Sequence, residues 1–159
     1  MSLSSMELPR AEKGYEKFAW IIFFAIGILG LITGLAQILA VSGQLDAGII
    51  RNLTGMTWEQ IVTGNSTIAS LIRYFQRTIG IATLSGSVLL VAIAAIPYKK
   101  GERWSWYILW TPLAIWIAGS AIDLEAGASF MLQVFDLVFA VVWLTGLLLP
   151  YRKCFPRKP

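Results

Sequence analysis

Four runs of apolar residues, each close to the length of a bilayer crossing, set the pattern of this chain, and its charged residues fall in the gaps between them. The runs cover about 18–41, 78–96, 104–122 and 128–149. A hydrocarbon core about 30 Å thick takes about 20 residues of α-helix. The first run is the clearest, with no charged residue between Lys17 and Asp46. It exceeds the roughly 7–15 apolar residues of a signal peptide, so it reads as an uncleaved anchor. The pattern predicts an all-α fold: a single four-span membrane domain over residues 1–159, built as a four-helix bundle with an outer loop at 42–77 between spans 1 and 2.

That loop is itself partly helical. Thr57 followed three residues later by Gln60 has capping-box spacing, which opens a short helix at T-W-E-Q-I and brings Trp58 to the interface. Asn65 and Ser66 read as the cap of a second helix, where Ile68, Leu71, Ile72, Phe75 and Ile79 recur at helical spacing and lead without a break into span 2. Pro97 is expected to stop that span, and Pro112 to kink the third. Trp104, Trp106, Tyr107 and Trp110 crowd the start of span 3 as an aromatic belt would, beside the basic turn that carries Lys99, Lys100 and Arg103.

Charge then fixes an orientation. Arg10, Lys13, Lys17, Lys99, Lys100, Arg103, Arg152, Lys153, Arg157 and Lys158 lie on one side of this layout, against Arg51, Arg73 and Arg77 on the other. The positive-inside rule puts the first set, with both termini, in the cytoplasm of a multi-pass protein of the cell membrane. The net charge of +4 is therefore a topology signal with an affinity for anionic lipid, and nucleic acid is not an expected partner. The sequence holds no histidine and one cysteine, Cys154, which removes imidazole catalysis, thiolate clusters and any internal disulfide. No cofactor or metal is expected. Cys154 is either a free thiol or, among basic residues just past span 4, an acylation site.

The candidate chemistry is intramembrane and polar. Asp136 lies about eight residues, roughly 12 Å, below the outer end of span 4. An ionisable group at that depth is expected to face the bundle interior with a partner. Gln133 shares its helix face, and the same depth on spans 1 and 2 holds Thr33 with Gln37, and Ser85 with Ser87. Two readings stand: an outward-opening polar chamber for a proton, an ion or a small head group, or interhelical hydrogen bonds that only hold the spans together. Arg77, one turn from Arg73 and followed on its helix face by Gly80, is placed to pair with Asp136, or with Asp123 or Glu125 at the rim, or to contact lipid phosphate. Gly30 and Gly34 form a G-x-x-x-G, and Ala82/Gly86 and Ala114/Ala118 repeat the spacing, which serves either a tight bundle or a partner. Asn52 and Asn65 head glycosylation tripeptides in the outer loop.

The turn Y-K-K-G-E-R-W-S-W-Y at 98–107 and G-M-T-W-E-Q-I at 55–61 are similar to a pattern in small four-span membrane proteins of the DoxX-like and DUF4345-like kind. The resemblance covers the middle half of the chain. It implies a four-helix membrane domain and carries no catalytic residue across. With acid–base chemistry resting on carboxylates alone, the leading expectation is a non-catalytic accessory subunit or scaffold, partnered by another membrane protein or by itself. The alternative is a carrier or binder of a small molecule, proton or lipid through the chamber around Asp136.

Overall fold

The computed structural model describes residues 18–39, 47–127 and 129–155. The expectations for Arg10, Lys13, Lys17, Arg157 and Lys158, and for the two termini, lie outside that set. The described residues are mostly helical, with no strand among them. In chain order they form α1 (Trp20–Leu39), α2 (Ala47–Thr54), α3 (Trp58–Gly64), α4 (Ser66–Ile93), a π-helical turn (Ala94–Tyr98), α5 (Arg103–Ile108), α6 (Trp110–Glu125), α7 (Phe130–Leu148) and the single turn α8 (Tyr151–Cys154). Four helical stretches are long and apolar enough to cross a membrane: Trp20–Leu39, Ser66–Tyr98, Arg103–Glu125 and Phe130–Cys154.

The caps form as their spacing predicts. The Thr57 hydroxyl accepts from the Gln60 backbone N–H at 3.4 Å, and the Gln60 side chain accepts from the Thr57 N–H at 2.8 Å, which completes the capping box of α3. Asn65 Oδ1 accepts from the Ile68 N–H at 3.1 Å and starts α4, which runs unbroken for 28 residues.

Pro97 acts differently from expectation. Helix passes through Pro97 instead of ending there, because the widened π turn gives the ring the room that an α turn denies it. Pro112 does interrupt its helix, one turn upstream: α5 ends at Ile108, whose carbonyl Pro112 leaves without a donor, and Leu109 separates α5 from α6.

Two packing units result. Helices α1 and α4 are antiparallel and in contact along much of their length, while α7 lies against α1 and α6. The α1–α4 approach is set by glycines. A Cβ built on Gly34 would fall 2.8 Å from the Leu84 backbone nitrogen, one on Gly80 would fall 3.0 Å from the Gly34 carbonyl, and one on Gly30 would collide with Ser87. The Gly30/Gly34 motif thus serves the tight bundle.

All four long helices meet at the end of the molecule that carries the basic turn. Phe23, Ala94, Tyr98, Leu109, Leu113, Trp143 and Leu147 form a buried core there, with Phe23 edge-on to both Tyr98 and Trp143. Three aromatic donors tie this basic end through helix carbonyls: Tyr98 Oη to Gly146 at 2.6 Å, Trp143 Nε1 to Leu109 at 2.9 Å, and Trp106 Nε1 to Leu147 at 2.9 Å. The opposite, loop end has a smaller core of Ile50, Trp58, Ile61 and Ala69. Asn52 Nδ2 reaches from α2 to the Gly127 carbonyl, 2.6 Å away, in the turn between α6 and α7.

Candidate polar site at the loop end

The register of α4 decides which polar side chains turn inward. At about 100° per residue, Arg73 lies about 20° to one side of the direction of Gly80 and Gln76 about 40° to the other, whereas Arg77 lies about 60° away, beyond Arg73. Gly80 is the contact point with α1, so the face through Arg73, Gln76 and Gly80 is the buried one. Gln76 is 6% exposed, Arg73 half-buried and Arg77 exposed. The expectation that Arg77 points inward is corrected: Arg73 turns inward instead, with Gln76, which the pattern of charges did not single out.

Helical geometry divides the other candidates as well. Ser85 and Ser87 are two residues apart, about 200° around the helix, and cannot line one chamber. Ser87 is buried against Gly30, while Ser85 is exposed and donates to the Ile81 carbonyl at 2.9 Å. Thr33 is likewise exposed and donates to Leu29 O at 2.8 Å. Gln37 is half-buried, its stem against Gly80. Asp136 and Gln133 are half-buried on α7. One turn from Asp136, Phe139 stacks on Trp116 of α6 at a centroid distance of 4.1 Å.

Buried polar atoms without hydrogen bonds concentrate in this half of the molecule: Gln37 Oε1, Arg73 Nε, Gln76 Nε2 and Trp116 Nε1. Leaving such an atom unmatched costs about 1–3 kcal/mol, so native structures keep few of them. Arg73 and Gln76 are successive members of one helix face, and the Trp58 ring lies 5.5 Å from the Arg73 guanidinium carbon. The combination is a fixed cation against an aromatic ring and a buried amide donor on one face of α4, with a buried carbonyl acceptor from Gln37 on α1.

The basic-end candidates have structural duties too. Lys99 lies over Trp20 with Nζ 4.6 Å from the ring centroid, and Arg103 Nε donates to the Cys154 carbonyl at 3.2 Å. Trp106 is half-buried with its indole N–H used internally, whereas Trp104, Tyr107 and Lys100 are exposed. Cys154 is 1% exposed, which closes its thiol to an acyl donor. Asn52 uses its side-chain nitrogen on Gly127, and Asn65 its oxygen as the α4 cap; both residues are exposed.

Comparison with protein-family models, with curated proteins and with solved structures yields no match to this chain.

Proposed function

We propose that the chain is a multi-pass protein of the cell membrane, with both termini cytoplasmic, and that it works as a non-catalytic component, an accessory subunit or scaffold of a larger membrane complex. Kinship with the DoxX-like and DUF4345-like bundles belongs to the same proposal. The insertion rests on the four apolar helices, and the orientation on the excess of Lys and Arg at the basic end.

The observation that carries the subunit reading is an outward display of small residues. A Cβ built on Gly86 of α4 or on Gly119 of α6 would meet no atom within 4 Å; Ala82, one turn from Gly86, is exposed beside it, and Ala114 and Ala118 are exposed on another face of α6. Helices in lipid associate where small residues let backbones approach, and these faces have no such neighbour within the described chain. Gly86→Leu or Gly119→Leu is expected to leave the isolated chain folded and to dissolve the complex that mild detergent extracts, read by native gel and size exclusion. A wild-type chain that runs as a lone monomer, with no cross-linked partner in native membranes, would falsify the proposal.

A second reading, binding or transport of a small molecule, proton or lipid around Asp136, is favoured by one specific observation. Asp136 is half-buried in an apolar helix, and its carboxylate makes no hydrogen bond or ion pair among the described residues. Under this reading Asp136→Asn abolishes a flux or binding signal with folding intact; unchanged flux in the variant removes it.

A further inference from the structure

We infer that the loop-end joint of α1 and α4 is a binding site for the phosphate group of a membrane phospholipid, held by donors from Arg73 and Gln76. The inference rests on the placement of the chain in a bilayer, but not on the subunit or Asp136 readings.

The argument begins with what is unmatched. Gln76 Nε2 is a donor on a side chain more than nine-tenths buried, and Arg73 Nε is a second buried donor one turn along the same face; neither has an acceptor among the described residues. Their common requirement is an anionic oxygen. An amide donor alone is satisfied by a carbonyl or a water, but the adjacent guanidinium adds a fixed positive charge, and hydrogen bonds to a charged acceptor are the stronger class. A phosphate has oxygens enough for both donors at once. Gln37, whose Cβ lies against Gly80 a turn deeper, carries an unmatched Oε1 of the opposite polarity, suited to a hydroxyl of a glycerol-type head group.

Depth selects the lipid source. Counting about 20 residues of helix back from Tyr98 brings the hydrocarbon boundary to the neighbourhood of Ile79. Gln76 and Arg73 then lie about 4–9 Å outside it at 1.5 Å per residue, which is the layer that phosphates occupy. Trp58, whose ring covers the Arg73 guanidinium, is the residue type that favours this layer, and the capping box of α3 fixes it there.

The test uses the full chain, delipidated in mild detergent, and follows its thermal unfolding as three probes are added: short-chain phosphatidylglycerol, the diacylglycerol of the same chains, and glycerol 3-phosphate. Phosphatidylglycerol alone is expected to raise the unfolding temperature saturably. Gln76→Leu and Arg73→Gln are each expected to raise the half-saturating concentration by roughly tenfold or more. Gln76→Leu is also expected to leave the lipid-free protein as stable as the wild type or more so, since it removes an unmatched buried donor, and this separates loss of binding from loss of folding. Equal stabilisation by diacylglycerol, or an undiminished phosphatidylglycerol response in both variants, overturns the site. Equal stabilisation by glycerol 3-phosphate overturns the lipid assignment. Resistance to alkaline carbonate extraction, measured in parallel, reports on the bilayer placement itself, so a chain that stays in the membrane without a phosphate-dependent shift refutes this inference and not that one.

Discussion

Gly34 and Gly86 are one residue type in comparable apolar helices, yet substitution at the two sites has opposite expected outcomes. At Gly34 an added methyl meets the Leu84 backbone, which has no flexible end to move aside, so α1 and α4 must separate along their shared seam. Overpacking of this kind costs about 1–3 kcal/mol, and Gly34→Ala is expected to lower the unfolding temperature in detergent. Gly86→Ala meets open space and gains the better helix propensity of alanine, so its unfolding temperature is expected to stay level or rise. The apolar pattern marks both glycines as close-approach residues but not which one has a neighbour. The same gap separates Arg77 from Arg73. Both are legible as unusual charges beside a span, and only the register at Gly80 tells which faces inward. Asp136 was visible as a buried-depth carboxylate, whereas Gln76, a neutral residue in a polar stretch, gave no signal of its own.

At the scale of elements, local chemistry was the most readable. The Thr57–Gln60 box and the Asn65 cap follow from short-range spacing, need no tertiary partner, and form as read. Thr57→Ala is expected to cost about 0.5–2 kcal/mol and to loosen α3 over α4, and Asn65→Ala to fray the first turn of α4. Hydrogen exchange of the Gln60 and Ile68 amides measures both, and unaltered protection would show the caps to be redundant. Helix α2 was missed because Ala47–Thr54 carries glycine and polar residues, and what ties it to the rest is the distant bond from Asn52 to Gly127. The two prolines mark the limit of a propensity argument. A missing donor can be absorbed by a wider turn, as at Pro97, or can break the helix, as upstream of Pro112. Neighbouring side chains decide between these: the carbonyl of Leu109, at the break, receives the Trp143 indole.

The molecule as a whole was legible in its count of long apolar helices and not in their adjacency. Apolar residues on a helix in lipid face both lipid and protein, so periodicity marks the inward stripe weakly. Glycine contacts and aromatic donors settle it instead: α1 against α4 at Gly27, Gly30 and Gly34, and all four long helices gathered at the basic end. The loop-end site depends on this arrangement, because Gln76 lies on the face of α4 whose Gly80 meets α1.

The seam between α1 and α4 also has a meaning in time. These are the first and second of the four apolar helices, so their full interface exists as soon as α4 has been made, before α6 or α7 emerges. Tyr98 then waits: the carbonyl it binds, Gly146, is 48 residues further along, and the Trp143 indole is 34 residues beyond its own acceptor at Leu109. The first helical pair is thus able to set before the rest of the chain is synthesised, and the late helices dock by supplying Trp143 and the Gly146 carbonyl to a partner surface that already holds Phe23 and Tyr98. The basic end, last to close, is where an interrupted synthesis leaves its polar groups unmet.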